Sequence, residues 1–489
     1  MKVGAYKVPG YYVGDVIDCL RMLPDDCINC VVTSPPYYGL RAYAGDQNVV
    51  WGGAADCEHD WTEKERLTTS GGPPGKTAQV GATVAGVQRG KVQEATCSKC
   101  GAWKGGFGAE PTPEMYVEHT VEILREIRRV LRPDGTCFWV IGDSYAGVGW
   151  SNHKNTGGAL RAEGAKQRHT LGTGLKNKDL LLIPHRVALA AQADGWYVRS
   201  DIIWVKGASF GPYVGNPMPE SINDRPTSAH EHIWMFTKRP KYYWDAEAVR
   251  EPSTMKPQRR PQGHKRRRPG SLMPEHTWSG TQRDEPQVDG NPAGRNVRNC
   301  WTIPTRAFKG AHFAVFPPDL PMRLIEAACP RQVCSVCGAP WTRIMETAPL
   351  ESTGAAIGGD PDRQDGGTRV KDPTGAGGNT LGRRRVATDR FAPSCICTIS
   401  NQPCELCGGS GDPCGKGGRC IRCGGTGKDI PIPKPGIVLD PFAGSGTTLA
   451  VAECLGRDWI GFDISEEYGN LFAGRVEDVK KWFAKREEV

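Results

Sequence analysis

The sequence predicts an α/β fold with a mostly parallel sheet flanked by helices. Three observations predict this class. The first forty residues alternate strand and helix signals, residues 114–141 give an amphipathic helix, a turn and a strand, and residues 436–462 give a strand, a Gly-rich turn, a helix and a strand. Such alternation is typical of strands joined by crossover helices. With 489 residues and 38% apolar composition, the chain can bury one such core and carry further modules.

The predicted elements follow from hydrophobic periodicity and from the residues that interrupt it. Strand signals lie at 11–13, 27–33, 136–141, 197–205, 233–237, 436–439 and 459–462. Helical spacing lies at 16–23, 114–131, 180–193, 320–328 and 447–455, and a final helix rich in charge follows. The stretches between these elements, above all 51–108 and 334–430, lack periodicity and are interpreted as insertions.

Positive charge is concentrated in one segment. The formal net charge is +8, and residues 250–309 alone contain 13 Lys or Arg against 5 Asp or Glu, an excess of eight that leaves the rest of the chain neutral. A cationic segment rich in Pro and Gly is typical of a surface that binds a polyanion such as nucleic acid. A solvated loop is the alternative interpretation.

The lack of a recognisable targeting signal and the pattern of cysteines predict a cytoplasmic protein with no membrane partner. No stretch approaches the roughly 18 uninterrupted apolar residues of a membrane span, and residues 1–10 lack the layout of a secretory signal. Most of the 19 cysteines occur in Cys-x-x-Cys or Cys-x-Cys pairs. In a reducing compartment that pattern favours zinc over disulfides.

Two loops at predicted strand ends carry the candidate chemistry. Ser34-Pro35-Pro36-Tyr37 stops a strand abruptly, at the kind of end where open α/β sheets place ligands. Residues 440–448, Asp-Pro-Phe-Ala-Gly-Ser-Gly-Thr-Thr, lie between a strand and a helix, where glycine lets the backbone approach a ligand. Asp463 follows the next strand, where a carboxylate can accept hydrogen bonds from ribose hydroxyls.

In this order, the two loops resemble those of the beta class of DNA amino-methyltransferases, a permuted class whose catalytic motif precedes its cofactor motif. The resemblance continues through residues 131–135, 141–145, 195–206 and 311–317. It implies a permuted class I, Rossmann-like fold that binds S-adenosylmethionine and acts on double-stranded DNA. The residues that it places at the cofactor are Asp15, Phe313, Asp440, Phe442, Ala443, Gly444, Gly446, Thr447 and Asp463.

The same resemblance makes Ser34, Pro35, Pro36 and Tyr37 the catalytic residues. An exocyclic amine is a poor nucleophile because its lone pair is delocalised into the ring. The Ser34 hydroxyl and the Pro35 carbonyl can accept the two amine hydrogens and aim that lone pair at the methyl group. Tyr37 would stack on a base flipped out of the duplex. No strong base is needed, and none is conspicuous in the sequence.

The target base is predicted from the residue before the two prolines. Within the class, serine is more usual of cytosine N4 enzymes, and aspartate or asparagine of adenine N6 enzymes. The resemblance therefore favours N4 of cytosine, with N6 of adenine as the alternative. An alternative from another class is a catalytically inactive, zinc-containing nucleic-acid-binding protein, but the intact catalytic and Gly-rich loops argue against it.

Three sets of residues have the spacing of zinc ligands. Each set fills four tetrahedral positions and leaves none for water, so that one to three structural ions are expected. The sets are Cys404, Cys407, Cys420 and Cys423; Cys334, Cys337, Cys395 and Cys397; and Cys57, His59, Cys97 and Cys100. His230, Glu231 and His232 lie beside a strand and are expected to have a structural role, whereas Lys206 is expected to contact phosphate or to lie at the surface.

The predicted organisation alternates core and insertion. The segments are 1–50 and 109–245 (catalytic core), 51–108 (zinc-binding insertion), 246–300 (basic target-recognition segment), 301–333 (cofactor-side core), 334–430 (Cys/Gly-rich zinc-binding insertion) and 431–489 (cofactor-binding core). A cognate restriction endonuclease is a candidate partner. The sequence indicates neither the recognition site nor the oligomeric state.

Overall fold

The computed structural model describes residues 1–39, 49–54, 56–69, 89–146, 175–176, 178–207, 223–252, 294–305, 315–349, 383–395 and 432–487. The chain divides into two compact units, one comprising 1–245, 298–342 and 393–489, the other 246–297 and 343–392. Within the described ranges, none of the helices is both long and apolar enough to cross a membrane.

The described strands and helices agree closely with the predicted ones in the core. The strands are β1 (Lys2–Val3), β2 (Tyr6–Lys7), β3 (Gly10–Val13), β4 (Ile28–Thr33), β5 (Val49–Trp51), β6 (Trp61–Thr69), β7 (Arg89–Cys97), β8 (Trp103–Gly105), β9 (Leu131–Ile141), β10 (Tyr197–Val205), β11 (His230–Thr237), β12 (Cys300–Thr302), β13 (Trp341–Pro349), β14 (Arg383–Pro393), β15 (Ile437–Asp440) and β16 (Asp458–Asp463). The helices are α1 (Val16–Arg21), α2 (Pro113–Val130), α3 (Ile183–Ala193), α4 (Asp319–Ala328), α5 (Thr447–Cys454) and α6 (Glu466–Glu487).

An eight-stranded sheet forms the centre of the first unit, in the order β12-β10-β11-β9-β4-β15-β16-β3. All neighbouring pairs are parallel except the two that β11 makes with β9 and β10. The α/β class and the mostly parallel sheet are therefore confirmed. Because β11 runs the opposite way, its first residues lie at the same edge as the carboxyl ends of the parallel strands.

Strand β4 lies at the centre because both of its faces are apolar. All six of its residues are buried, as expected for an inner strand of a parallel sheet covered on both sides. Its neighbour β15 comes from the far end of the chain, with Leu439 paired to Val31. The loops that follow these two strands therefore lie side by side, which is the permuted arrangement that the sequence predicts.

Helix α2 shows how local sequence sets an element's limits. The Thr112 side chain caps its start by accepting a hydrogen bond from the Met115 N–H at 3.2 Å. Pro113 occupies the first turn, where a backbone N–H would have no partner within the helix, so its missing N–H costs no hydrogen bond. Its apolar face, including Ile123, Leu124 and Ile127, is buried against the sheet side of the core.

The segment 51–108 contains more regular structure than its sequence predicts. Strands β5, β8, β7 and β6 form a four-stranded antiparallel sheet in that order. Its longest pair, β6 with β7, is rich in charged and hydroxyl side chains, so that it lacks the alternation of apolar residues by which a strand is recognised. The pairing of the two backbones, from Trp61 with Cys97 to Thr69 with Arg89, defines these strands.

The second unit is described at 246–252, 294–297, 343–349 and 383–392. It holds most of the β13–β14 pair, where Arg343 donates a hydrogen bond to the Thr388 carbonyl at 2.9 Å. Elsewhere in this unit Glu251 pairs with Arg295 through both backbone and side-chain bonds. Most of the predicted basic segment 246–300 lies outside the described residues.

Candidate active site and metal centres

The predicted catalytic loop, residues 34–37, starts where β4 ends, and its polar side chains are hydrogen-bonded. The Ser34 Oγ donates to the Tyr37 Oη at 3.2 Å, and the Tyr37 Oη donates to the Glu231 Oε2 at 2.8 Å. The Pro36 carbonyl accepts a hydrogen bond from the Tyr116 Oη at 3.0 Å. The structure thus brings the four predicted catalytic residues together in one ordered turn.

The Gly-rich loop adjoins this turn through a buried hydrogen bond. The Thr33 Oγ1 donates to the Asp440 Oδ1 at 2.6 Å, and the same carboxylate accepts from the Phe442 N–H at 3.2 Å. Burial raises the pKa of Asp440 to about 6, against the opposing effect of its hydrogen bonds with Thr33 and Thr448. Asp440 is buried and therefore links the two loops.

Gly446 allows the loop to turn into α5. Its φ of +82° lies in the left-handed region, and an added Cβ would lie 2.3 Å from the Cδ2 atom of Phe472. The next residue, Thr447, is buried and accepts a hydrogen bond from Arg475 Nε at 3.0 Å. The predicted contact residues Ala443 and Gly444 precede this turn, and Ala443 N–H donates to the Phe462 carbonyl at 2.8 Å.

Asp463 faces the Gly-rich loop from the end of β16. Its Oδ2 accepts from the Gly444 N–H at 2.8 Å and its Oδ1 from the Ser465 N–H at 2.9 Å. Burial raises the pKa of this carboxyl, and the backbone donors act against that shift. Each carboxylate oxygen has two lone pairs, so each one keeps capacity for a second donor.

Asp15 lies at the same edge of the sheet and caps α1. Its Oδ1 accepts from the N–H groups of Ile17 and Asp18 at 2.9 and 3.2 Å. The preceding Gly14 N–H donates to the Asp463 carbonyl at 2.9 Å, which places Asp15 beside the end of β16. The predicted cofactor residue Phe313 lies outside the described residues.

Glu231 and Lys206 also lie at this site, whereas the sequence predicts only a structural role for Glu231 and a phosphate contact or surface position for Lys206. Glu231 accepts the Tyr37 hydroxyl and forms an ion pair with Lys206, and the two side chains are 12% and 25% exposed. Gly142 packs beside them, since an added Cβ would lie 2.9 Å from Tyr37 Cε2. The contacts join β9, β10 and β11, and no local pattern predicts such a long-range pairing.

The two histidines that flank Glu231 lie on the other face of β11, because side chains alternate along a strand. The His232 Nδ1 is 3.0 Å from the Asp201 Oδ1, and since a carboxylate only accepts, the ring nitrogen donates. His185, Asp201 and His232 also have donor atoms within 4.8 Å of one another. The hydrogen bond accounts for Asp201 and His232 without a metal.

The predicted ligands Cys57, His59, Cys97 and Cys100 converge at one point. Their four donor atoms lie within 4.8 Å of one another, with 3.9 Å between the Sγ atoms of Cys57 and Cys97 and 3.4 Å between Cys100 Sγ and His59 Nδ1. A tetrahedral zinc with Zn–S of about 2.3 Å and Zn–N of about 2.0 Å places its sulfurs roughly 3.8 Å apart and a sulfur and a nitrogen roughly 3.5 Å apart. The donor set therefore fits zinc.

The pKa values of the three thiols in this cluster are shifted in different directions. Burial acts to raise the pKa of Cys97, but backbone N–H donors, first that of Cys100, and the His59 ring lower it to about 6. Burial raises the pKa of Cys57 to about 11. The second cysteine of the Cys-x-x-Cys pair, Cys100, has a lowered pKa, first through the Ala102 N–H.

A second cluster brings together Cys334, Cys337 and Cys395, whose donor atoms lie within 4.8 Å of one another. The turn repeats that of the first cluster. The Gly338 N–H donates to the Cys334 carbonyl at 2.8 Å, as Gly101 does to Cys97 at 3.0 Å, and both glycines are left-handed. The fourth predicted ligand, Cys397, and the whole set Cys404, Cys407, Cys420 and Cys423 lie outside the described residues.

The first cluster belongs to the insertion that packs against the catalytic loop. The Gly39 N–H donates to the Gly108 carbonyl at 2.8 Å, and an added Cβ on Gly108 would lie 3.0 Å from Pro36. Behind this contact the buried Glu110 binds both the Gly108 N–H and the His119 ring, at 2.8 and 3.0 Å. The insertion thus supports the loop from outside the sheet.

A family model and the two relatives below all indicate the same family of DNA methyltransferases. A model of the DNA methylase family of N6 and N4 methyltransferases matches residues 28–332 and 430–473. The chain is 31% identical over 321 residues to the type II methyltransferase M.XycI of Xanthomonas campestris pv. cyanopsidis, covering 65% of this chain and 71% of that protein. It is 31% identical over 309 residues to the type II methyltransferase M.SmaI of Serratia marcescens, covering 62% and 70%.

Solved structures align over most of the chain at low similarity. The PvuII DNA methyltransferase, described as cytosine-N4-specific, aligns over 97% of this chain and 89% of its own with 14% identity and a TM-score of 0.41. The M1.HpyAVI-SAM complex aligns over 95% and 98% with 12% identity and a TM-score of 0.31.

Proposed function

This chain belongs to the DNA methylase family of N6 and N4 methyltransferases, in the permuted beta class, and from that premise we propose that it methylates the N4 amine of cytosine in double-stranded DNA. The enzyme is a DNA methyltransferase by family. The choice of N4 over adenine N6, the cofactor, the residue roles and the metal content are proposals.

The observation that carries the choice of base is Ser34, at the end of β4 and before two prolines. Its hydroxyl is already oriented by the bond to Tyr37, so one of its lone pairs can accept an amine hydrogen while its own hydrogen points away. The class most often has serine at this position in cytosine N4 enzymes. Adenine N6 is the alternative that the experiment below separates.

The residues at the sheet edge fit S-adenosylmethionine. The left-handed Gly446 leaves room for no side chain at the start of α5, and Asp463 keeps acceptor capacity for ribose hydroxyls. Asp15 lies beside Asp463, where an adenine would extend. When bound, the cofactor supplies an electrophilic methyl group on a sulfonium.

The catalytic turn orients the nucleophile. Ser34 and the Pro35 carbonyl would accept the two amine hydrogens, and the lone pair would then point towards the Gly-rich loop that adjoins the turn. The hydrogen bond from Tyr116 to the Pro36 carbonyl holds this backbone in place. Tyr37 would contact the flipped base, with its ring packed beside Gly142.

Binding of the duplex is assigned to the cationic segment 246–300, whose excess of Lys and Arg suits contacts with phosphate rather than base readout. A restriction endonuclease as cognate partner is supported by the type II names of the two relatives. Both assignments remain proposals for this chain.

The test is to express the protein in a methylation-deficient bacterium and to analyse digested genomic DNA by mass spectrometry. N4-methylcytosine above the level of a Ser34→Ala control supports the proposal. N6-methyladenine would keep the mechanism and correct the base. If a folded protein that binds radiolabelled cofactor gives no methylated nucleoside of either kind, the enzymatic proposal itself is contradicted.

We further propose that zinc is a structural cofactor. The four-ligand cluster of Cys57, His59, Cys97 and Cys100 has the donor distances of a closed tetrahedral site, and the second cluster supplies three thiols of such a site. A closed site leaves no position for water, so the metal would hold the insertions in place and take no part in methyl transfer. Both clusters lie in segments with little apolar core of their own.

Metal analysis of the purified protein tests this proposal. The intact chain should hold one to three equivalents of zinc, and Cys100→Ser should lower the content by about one equivalent. Cys300→Ser is the matched control, because Cys300 is exposed and belongs to neither cluster. Zinc-free protein with a native unfolding transition would refute it.

A further inference from the structure

Glu231 ends a chain of hydrogen bonds that begins at the Ser34 hydroxyl. The Ser34 Oγ lies 3.2 Å from the Tyr37 Oη, and the Tyr37 Oη lies 2.8 Å from the Glu231 Oε2. An ionised carboxylate cannot donate, so the Tyr37 hydrogen points to Glu231. The Tyr37 oxygen then accepts from Ser34, and both hydrogens of the chain point in the same direction, away from the position of the amine.

The carboxylate at the end of this chain is held in place by an ion pair and by close packing. Lys206, at the end of the β10 segment, forms an ion pair with Glu231 Oε1, and only 12% of the Glu231 side chain is exposed. Gly142 packs against the Tyr37 ring and lies near Glu231 Cγ, so neither side chain has much freedom. Other titratable groups near Glu231 are the Tyr37 hydroxyl and the adjacent His230, whose pKa is lowered first by burial.

We propose that Glu231 is the final acceptor of the proton that the target amine loses on methylation, with Ser34 and Tyr37 as the intervening carriers. The inference rests on the proposed function, since it requires an amine as nucleophile. The nitrogen lone pair forms the bond to the methyl carbon while the carbon–sulfur bond breaks and its electron pair remains on sulfur.

The proton balance of this step is complete without any further reagent. The alkylated nitrogen gives one hydrogen to Ser34 Oγ, Ser34 gives its own to Tyr37 Oη, and Tyr37 gives its own to Glu231. The carboxylate becomes a carboxylic acid and later releases the proton to solvent, which reaches the partly exposed ion pair with Lys206. The sequence shows no such base, because Glu231 is 194 residues from Tyr37.

The test compares single-turnover methyl transfer from radiolabelled S-adenosylmethionine to unmethylated genomic DNA for four variants. Glu231→Gln keeps the side-chain volume and removes the charge, Tyr37→Phe keeps the ring and removes the carrier, and the third variant combines both changes. Glu126→Gln is the matched control, because Glu126 is also a partly buried, ion-paired glutamate but lies on α2 and contacts Arg129.

Each single variant should lower the transfer rate by about a hundred- to ten-thousandfold, the range of a positioned acid–base group. The double variant should lose no more than the worse single one, because the groups act as one unit. The pH–rate profiles of wild type and Glu231→Gln should differ at acid pH, because only the wild type carries an acid–base group at this position. Affinities for S-adenosylmethionine and DNA should stay unchanged.

A Glu231→Gln rate within twofold of wild type would overturn the inference, as would losses that multiply in the double variant. A lower rate with an unchanged pH profile and weakened cofactor binding would make Glu231 a structural residue only. If folded wild-type protein transfers no methyl group to DNA, the proposed function fails, and this inference fails with it.

Discussion

The Thr33 hydroxyl donates a 2.6 Å hydrogen bond to the carboxylate of Asp440, a residue 407 positions away along the chain. Thr33 is the last residue of β4, and Asp440 is the last residue of β15. Because these strands are parallel neighbours, the bond fixes the ends of both at one level. The catalytic turn and the Gly-rich loop thereby start from a single buried contact.

Replacing Thr33 by valine should weaken both loops. The change keeps the shape and removes one of the two side-chain donors to the buried carboxylate of Asp440, at a cost of about 1–3 kcal/mol in the free energy of unfolding. Urea unfolding measures that loss, and cofactor titration should show weaker binding. The control is Thr237→Val, since Thr237 is equally buried but donates to the Arg239 carbonyl away from the site. Equal losses in the two variants would show that the loops do not depend on this bond.

Asp440 should also impose a pH dependence on stability. Its pKa is raised to about 6 in the folded protein by burial, above the value of an unfolded aspartate. Between pH of about 4 and 6 the folded state therefore binds more protons than the unfolded state at this group, so its contribution to stability falls as pH rises. The unfolding free energy of wild type minus that of Asp440→Asn should therefore decrease as the pH rises from about 4 to 6. Parallel pH curves for the two proteins would contradict this.

Gly446→Ala should destabilise the protein and impair cofactor binding. The substitution combines a left-handed φ of +82° with a Cβ 2.3 Å from the Phe472 ring. Gly456→Ala is the matched control, because Gly456 has a φ of +68° but no atom within 4 Å of an added Cβ. We expect about 1 kcal/mol of destabilisation in the control and several times more at Gly446. Denaturant unfolding measures the loss of stability and cofactor titration the loss of binding. Similar losses in Gly446→Ala and Gly456→Ala would show that the contact with Phe472 is not the cause.

Gly142→Ala should lower turnover without unfolding the protein. The new Cβ would lie 2.9 Å from Tyr37 Cε2, so the ring must move away from its hydrogen bond to Glu231. We expect a fall in methyl transfer of about tenfold, as for a displaced catalytic group, with cofactor affinity retained. Gly474→Ala, where no atom lies within 4 Å, controls for the added methyl group. Wild-type turnover in Gly142→Ala would indicate that the ring position does not matter.

The two proposed zinc clusters should differ in their influence on catalysis. The Cys100 cluster belongs to the insertion that contacts Pro36 through Gly108. The Cys337 carbonyl instead accepts a hydrogen bond from Arg132 at the start of β9, whereas Tyr37 packs beside Gly142, which follows the end of that strand. Cys100→Ser and Cys337→Ser should each lower the zinc content, but Cys100→Ser should reduce turnover more. Metal analysis and methyl-transfer rates on the same samples measure this. Equal rates in both variants would show that the insertion does not support the catalytic turn.

The sequence predicts those parts of the fold that local patterns encode. The apolar run of β4, the amphipathic α2 and the turn around Gly446 are found where they are expected, because burial, helical period and glycine each leave a local signal. The pair β6 and β7 is missed, because its strands are polar on both faces. Contacts between distant positions, such as Tyr37 with Glu231, follow only from the strand order, and no single segment encodes that order.

The order of the strands also decides when the protein can fold during synthesis. Strand β3 pairs with β16 and β4 pairs with β15, so two strands from residues 10–33 must wait for partners from residues 437–463. Contacts of such long sequence separation form slowly. Until residues 437–463 are synthesised, the apolar β4 lacks one of its two partners, and that edge of the strand keeps unpaired backbone groups.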